Sequence, residues 1–215
     1  MSTYQKDRGL LFIVSAPSGA GKTTLCRYLV EAMPSVSYSI SHTTRKPRQG
    51  EINGEHYYFV SEEEFEQIKK DGGFIEWANV HGNFYGTSKK ELERLFEKGN
   101  DVILDIDTQG ALQVKNSNVG GIFISLLPPS MVELERRLRT RDTDDEEVQR
   151  KRIIKGIEEI KFILDKQVYD YLIINDNLVK ALDELKSIIL AERMAKKNRL
   201  ASYDLELIKK NFGLN

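Results

Sequence analysis

The fold is decided by the run LLFIVSAPSGAGKTTL at residues 10–25. Its first part, Leu10–Val14, is a short, continuous apolar stretch, which is typical of a strand buried on both faces of a parallel sheet. Leu25 and Leu29 then recur at helical spacing until Pro34, so a helix follows the turn. The run therefore predicts a strand, a glycine-rich turn and a helix in succession.

The turn between this strand and helix has the composition of a phosphate-binding P-loop. It consists of Ala16, Pro17, Ser18, Gly19, Ala20, Gly21, Lys22 and Thr23. Small residues let backbone N–H groups curl around phosphate oxygens, and the helix N-terminus adds a favourable dipole. In such a loop Lys22 reaches the β- and γ-phosphates, and Thr23 can bind Mg²⁺. The position between strand and helix favours this interpretation over an incidental glycine-rich turn, although Ala16 stands where the strict pattern has glycine.

Further apolar runs predict an α/β fold with a parallel sheet flanked by helices. Buried-strand candidates lie at Val102–Ile106, Ile122–Leu127 and Tyr171–Ile174, with helical patterns between or after them. Several residue pairs have the spacing of a capping box, in which each side chain bonds to the other residue's backbone N–H. These pairs are Ser61 with Glu64, Ser88 with Glu91, Ser130 with Glu133 and Thr143 with Glu146.

Two segments depart from this pattern within one predicted domain spanning residues 1–215. The strand-like runs Tyr57–Val60 and Phe74–Val80, in a region rich in Gly, Asn and Tyr, predict a small β-rich insertion. A second segment is helical and dense in Arg, Asp and Glu. We therefore expect a core of residues 9–36, 89–128 and 166–195, an insertion at 37–88, a charged helical segment at 129–165 and a C-terminal extension at 196–215.

The composition excludes several classes of protein. Lys plus Arg number 32 and Asp plus Glu number 33, and this balance argues against a nucleic-acid binder or a polybasic membrane protein. The single cysteine, Cys26, forms no intrachain disulfide, which favours a reducing, cytoplasmic setting. The longest uncharged run, residues 116–132, is broken by paired glycines and prolines, so we expect no membrane span.

A second basic motif lies in the insertion, between Ser41 and Glu51. Arg45 and Arg48 flank Pro47 there, and their forked guanidinium groups suit a second phosphate that the P-loop does not hold. Taken alone, the motif is equally typical of a solvated basic loop or a nucleic-acid patch.

Together, these motifs resemble those of the guanylate kinase family. The P-loop, the run Ser41–Tyr57, FIEW at 74–77, YGT at 85–87, ILDID at 103–107 and IND at 174–176 occur in the family's order and spacing, over about residues 10–195. The family transfers the γ-phosphoryl group of MgATP to GMP, giving ADP and GDP. Its fold has a P-loop core, a GMP-binding part and a mobile lid, which correspond to the core, the insertion and the charged helical segment.

The resemblance also implies roles for single residues. On the acceptor side, the GMP phosphate would be held or oriented by Arg45, Arg48, Glu51, Tyr57, Tyr85 and Thr87, and guanine would be read by Ser41, Glu76 and Asp107. On the donor side, ATP would contact the P-loop together with Thr24, Arg137 and Asn175. Catalysis would depend on Lys22, Arg48, Arg141 and Arg152, and Mg²⁺ would be bound by Thr23 and Asp105.

The chemistry of guanine supports the role of Glu76 independently. Guanine offers adjacent N–H donors that one carboxylate accepts as a pair, whereas adenine would set a ring-nitrogen acceptor against it. Leaving a buried polar group unpaired in this way discriminates by factors of about 10⁴ to 10⁵. The alternative is that Glu76 is an ordinary acid beside core Trp77.

Two other functions remain open on sequence grounds. A non-catalytic guanylate-kinase-like interaction module shares the fold, but usually has a damaged P-loop, whereas Gly21, Lys22 and Thr23 are intact here. A P-loop GTPase is suggested by the DTQG run at 107–110, but the N-K-x-D motif that reads guanine in such proteins is missing from the sequence. The sequence favours neither a monomer nor a homo-oligomer.

Overall fold

A computed structural model of the protein describes residues 9–80, 82–117, 119–139, 146–195, 197–198 and 205–212. Within these ranges, no helix combines the length and the apolar character that crossing a bilayer requires. In chain order the elements are β1 (Leu11–Ser15), α1 (Lys22–Ala32), β2 (Val36–Tyr38), β3 (His42–Thr43), β4 (Tyr58–Phe59), α2 (Glu62–Lys70), β5 (Phe74–Val80), β6 (Asn83–Ser88), α3 (Lys89–Phe96), β7 (Asp101–Ile106), α4 (Thr108–Asn116), β8 (Ile122–Leu127), α5 (Met131–Arg139), α6 (Glu146–Asp165), β9 (Tyr171–Ile174), α7 (Leu178–Met194) and α8 (Leu205–Asn211).

Five of the described strands form a parallel sheet in the order β2-β7-β1-β8-β9. Strand β1 lies at its centre and is buried along its whole length, as its continuous apolar sequence predicts. Phe12 and Val14 pack in a core cluster with α1 and α7, whereas Leu11 and Ile13 pack on the other face with α3 and α4. The α/β fold class predicted from the sequence is confirmed.

The insertion contains a second, four-stranded sheet in the order β4-β3-β6-β5. The stacked rings of Phe65 from α2 and Phe74 from β5, with centroids 4.4 Å apart, form part of its own small core. Strand β2 reaches Tyr38 and pairs with β7, so the first two residues of the predicted insertion belong to the core sheet by their hydrogen bonding. The short strands β3 and β6 were not predicted, because neither forms a continuous apolar run.

The helix caps agree only in part with the predicted boxes. Ser61 and Glu64 form a complete capping box at α2. At α3 and α5 the serine accepts the N3 backbone N–H as expected, but the glutamate side chain bonds elsewhere: Glu91 to Arg94 and Glu133 to Arg136. A charged partner one turn along the helix makes a stronger bond than the reciprocal cap. The pair at Thr143 and Glu146 lies outside the residues whose side chains are described.

Candidate active site

The P-loop follows β1 directly and leads into α1. Two of its glycines have left-handed backbone conformations, with φ of 88° at Gly19 and 89° at Gly21. At Gly21 a Cβ would also come within 2.7 Å of Asn175 Nδ2. Any side chain at this position would therefore be strained by its backbone and by its neighbour, which explains the glycine here.

Side chains from distant parts of the chain hold the backbone of this loop. Asn175, at the end of β9, donates to the carbonyl oxygen of Ala20 at 2.8 Å. Arg137 from α5 donates to the carbonyl oxygen of Asn175 at 2.9 Å. The backbone N–H of Ser18 donates to Oε2 of Glu159 in α6, at 3.1 Å. The core sheet and both charged helices thus meet at the loop.

Lys22 pairs with the carboxylate at the end of the neighbouring strand β7. Its Nζ lies 2.7 Å from Asp105 Oδ1 and also donates to the carbonyl oxygen of Ile106. Tyr38 donates its hydroxyl to Asp105 Oδ2 at 2.9 Å. Burial alone would raise the pKa of Asp105, but Lys22 and hydrogen bonds from Lys22, Thr23 and Tyr38 outweigh it and lower that pKa. Asp105 is therefore ionised and opposite the lysine.

The same residues suit a divalent cation. The Thr23 hydroxyl and the Asp105 carboxylate line the same cleft, and both offer the hard oxygen ligands that Mg²⁺ prefers. Magnesium sites of this kind use one or two protein oxygens and take the rest from phosphates and water. The donor set therefore fits a cation that binds together with a nucleotide.

A cleft of about 300 Å³ opens over the P-loop. The loop and the start of α1, including Thr24, form its floor. Its other walls come from three parts of the molecule: Val80 from the insertion, Asp107 from the core, and Arg152, Lys155 and Glu159 from α6. A ligand in this cleft would touch all three parts.

Glu76 is a buried carboxyl group on β5 of the insertion, only 5% exposed. It accepts a hydrogen bond from the Thr87 hydroxyl at 2.6 Å. Burial raises its pKa to about 7, and the nearby Asp107 adds to this rise. Gly110 faces it so closely that a Cβ there would lie 2.8 Å from Glu76 Oε2. Asp107 caps the N-terminus of α4 by accepting from the Gly110 N–H at 2.8 Å.

The basic motif of the insertion forms a second charged cluster. Arg45 and Glu51 make a bidentate pair, at 2.8 and 2.9 Å, and Glu51 also accepts from the backbone N–H of Arg48 at 2.7 Å. The bond from Arg45 lowers the pKa of Glu51 to about 2. The guanidinium of Arg45 lies 5.4 Å from the ring centroid of Tyr57, whose ring meets that of Tyr85 at 6.0 Å.

A second cleft, of about 380 Å³, joins the insertion to the core. Ser41 and Tyr57 line it from the insertion, and Thr23, Tyr38 and Asp105 line it from the core. Two of the acceptor-side residues predicted from the sequence, Ser41 and Tyr57, therefore share a cleft with Thr23 and Asp105.

Thirteen of the predicted site residues line these two clefts, which share Thr23, whereas Arg45, Glu51, Glu76, Tyr85 and Thr87 are in neither lining. Arg48 is exposed, and the hydrogen bond described for it comes from its backbone. Arg141 lies outside the described residues. Sequence reasoning missed Tyr38 and Glu159, which contact the site from β2 and α6. Tyr38 could have been predicted as a site residue only if β2 had been placed beside β7, because the carboxyl ends of neighbouring parallel strands meet at one edge of the sheet. No sequence signal distinguished Glu159 from the many other charged residues of α6.

A family model described as guanylate kinase matches residues 8–192. The chain belongs to the guanylate kinase family. Its members phosphorylate GMP with ATP, and the two joined clefts described above accord with a reaction between two nucleotides. The family assignment agrees with the resemblance drawn from the motifs.

Relatives and a solved structure extend this similarity over nearly the whole chain. A guanylate kinase of Geobacter metallireducens is 50% identical over 188 residues, covering 87% of this chain and 91% of that one. A guanylate kinase of Escherichia coli K12 is 46% identical over 199 residues, covering 92% and 95%. The crystal structure of guanylate kinase from Anaplasma phagocytophilum superposes with a TM-score of 0.75 at 32% identity, covering 98% of this chain and 99% of that one.

Proposed function

We propose that the protein transfers the γ-phosphoryl group of ATP to GMP, and to dGMP, giving ADP and the corresponding diphosphate. The observation that carries this proposal is the buried carboxyl group of Glu76, which accepts the Thr87 hydroxyl and lies against Gly110 at the start of α4 in the core. A buried carboxyl group that faces a ligand site needs donors from that ligand. Adjacent N–H groups on guanine supply two of them.

GMP would bind with its base and its phosphate at opposite ends of the insertion. Glu76, with Asp107 and Ser41, would accept the donors of guanine, and Thr87 would keep the carboxylate in place. The Arg45 guanidinium, Arg48 and the hydroxyls of Tyr57 and Tyr85 would hold the phosphate, because they offer the cations and donors that a phosphate accepts. Glu51 would orient Arg45 through their bidentate pair.

ATP would bind along the P-loop, residues 16–23 with Thr24, with Arg137 and Asn175 supporting the loop from behind. Lys22 would leave its present pairing with Asp105 and follow the transferred phosphoryl group. A bound Mg²⁺, held by Thr23 and Asp105, would neutralise charge on the phosphate oxygens. The GMP phosphate oxygen attacks in line, so the reaction needs no nucleophile from the protein.

The charged helices α5 and α6 would act as a lid. Arg152 lines the P-loop cleft, and Arg141 lies in the segment between the two helices. Closure would bring these cations to the phosphates and exclude the water that could otherwise hydrolyse ATP.

We extend the proposal to a cytoplasmic enzyme of nucleotide metabolism whose partners are small molecules. The buried, unpaired thiol of Cys26 and the balanced charge of the chain support it.

A coupled assay of ADP release tests the proposal. MgATP is offered with GMP, dGMP, AMP, CMP or UMP in separate reactions, and one reaction contains no acceptor. We expect rapid release with GMP and dGMP and little with the other acceptors. Equal release without acceptor would identify an NTPase instead, and binding of GMP without any turnover would support the interaction module.

A further inference from the structure

Helix α6 carries many charges, and one of them is buried. Glu159 is 7% exposed, whereas its neighbour Glu158 is exposed to solvent. Burial raises the pKa of Glu159. A carboxyl group is buried at a considerable cost unless hydrogen bonds compensate for it, so the partners of Glu159 deserve a structural explanation.

Those partners connect the helix to the phosphate-binding loop. Oε2 of Glu159 accepts the backbone N–H of Ser18 at 3.1 Å. Its Oε1 lies 3.9 Å from the ammonium group of Lys155, one turn earlier on the same helix. One oxygen is therefore committed to the P-loop and the other to a residue of α6 itself.

This contact gives the first half of the P-loop, residues 16–19, a hydrogen bond to a side chain of α6. The second half is held at the Ala20 carbonyl by Asn175. The first half is held at the Ser18 N–H by Glu159. With the backbone held on both sides of Gly19, the middle of the loop keeps the curvature that a phosphate requires.

The same contact connects the loop to the proposed lid. Glu159 follows Arg152 by about two turns of α6, so the two side chains project from the same face of the helix. Both line the cleft over the P-loop. A movement of α6 that preserves the bond between Glu159 and Ser18 therefore carries Arg152 toward or away from the phosphates about that bond.

We propose that Glu159 is a positioning residue for the ATP site: its carboxylate holds the Ser18 end of the P-loop and sets the distance at which α6 presents Arg152 to the phosphates. The expected effect of Glu159 on turnover rests on the proposed phosphoryl-transfer function. Its expected effect on nucleotide binding does not depend on that function. This role requires a side chain at position 159 that accepts a hydrogen bond from the Ser18 N–H, and the amide oxygen of a glutamine would do so as well.

The test compares E159A and E159Q with a matched control, E158A, which removes the same charge from the exposed neighbour. The affinity for MgADP alone is measured by titration calorimetry, and kcat and the KM values for ATP and GMP are measured by the coupled assay. Melting curves show which variants fold. We expect E159A to weaken MgADP binding and raise the KM for ATP by about tenfold, the usual effect of losing one hydrogen bond to a charged group.

The remaining expected results separate positioning from general damage. The KM for GMP stays within about twofold of the wild type, E159Q recovers most of the lost affinity, and E158A behaves as wild type. Tighter MgADP binding in both Glu159 variants would overturn the proposal, because the carboxylate would then be a competitor of phosphate. Equal losses in E159Q and E159A, or wild-type behaviour of E159A, would also overturn it.

The design keeps the two proposals distinguishable. If the wild-type protein fails to phosphorylate GMP, the proposed function is wrong, and the MgADP titration still decides the role of Glu159. If wild type turns over GMP and E159A binds MgADP equally well, only the inference on Glu159 fails. If E159A does not fold, E159Q decides whether Glu159 acts as a hydrogen-bond acceptor. The quantity compared with wild type is the ratio of the KM for ATP to the KM for GMP. A rise of about tenfold in this ratio in E159Q would contradict the acceptor role.

Discussion

The P-loop and the insertion, which we propose binds GMP, present their binding groups in different ways. The P-loop offers backbone N–H groups from a turn whose flanking strand is fully buried. The insertion offers side chains on a small sheet, and these already pair with one another, as Arg45 does with Glu51 and Thr87 with Glu76. Backbone groups recognise phosphate in any nucleotide, whereas side chains can be specific for one base. We therefore expect the core to determine the rate and the insertion to determine the acceptor.

The largest expected effect tests the core side of this comparison. Replacing Lys22 with methionine removes the cation that would follow the transferred phosphoryl group, and we expect kcat to fall by about 10³-fold with every acceptor. The affinity for GMP, measured by calorimetry, should change little. An effect confined to GMP binding would contradict the division between core and insertion.

A second variant controls for stability in this experiment. K22M leaves Asp105 buried without its ammonium partner, and breaking a buried pair in this way costs about 3–5 kcal/mol. K22R keeps a positive charge opposite Asp105, but its planar group does not match the position of an ammonium at the transferred phosphoryl group. We expect K22R to melt near the wild-type temperature and still lose most of its turnover.

The next effect tests the insertion. In E76Q the amide accepts one guanine N–H and sets its own donor against the other, so we expect kcat/KM for GMP to fall about 10²-fold. The KM for ATP should stay close to the wild-type value, because Glu76 is not among the residues that line the P-loop cleft. A comparable rise in the KM for ATP in E76Q would mean that Glu76 of the insertion also affects ATP binding in the P-loop cleft.

Sequence patterns predicted the core better than the site, for a physical reason. The strand, turn and helix of residues 10–33 are local, so apolar spacing and glycine content are enough to place them. The contact of Tyr38 with Asp105 depends on β2 lying beside β7, which the sequence does not state. Glu159 acts on a loop that precedes it by more than half of the chain.

The capping boxes show how a local signal can be incomplete. Glu91 and Glu133 have the correct spacing from their N-cap serines, yet both bind arginines one turn farther along the helix. The sequence contained this information, since Arg94 and Arg136 stand at the spacing of a helical ion pair. A box is therefore best predicted only where the N3 carboxylate has no such partner, as at Glu64.

The affinity for GMP should also depend on pH through Glu76. The pKa of Glu76 is about 7 in the nucleotide-free protein, and the ionised form is the one that accepts both guanine donors. As pH falls below 7 the carboxyl group takes up a proton, which must be lost for GMP to bind, so the affinity for GMP falls. We expect binding to be about tenfold weaker at pH 6 than at pH 8.

The phosphate of GMP also titrates near pH 6, so calorimetry of the E76Q variant serves as the control for this experiment. That variant retains the titration of the phosphate and lacks the carboxyl group. We expect a clearly shallower dependence on pH for E76Q than for wild type. Parallel curves for the two proteins would attribute the whole dependence to the phosphate and remove Glu76 from the explanation.

The smallest expected effect concerns the bidentate pair of Arg45 and Glu51, which orients a cation without touching the base. Both side chains are about one-sixth exposed, at 15% and 17%, and pairs near the surface contribute only about 0.2–1 kcal/mol. E51Q should therefore raise the KM for GMP about two- to fivefold, with kcat and the melting temperature almost unchanged. E62Q, which removes an exposed charge from α2 in the same insertion, is the matched control. A loss in E51Q as large as that in E76Q would mean that phosphate orientation, and not recognition of the base, dominates acceptor binding.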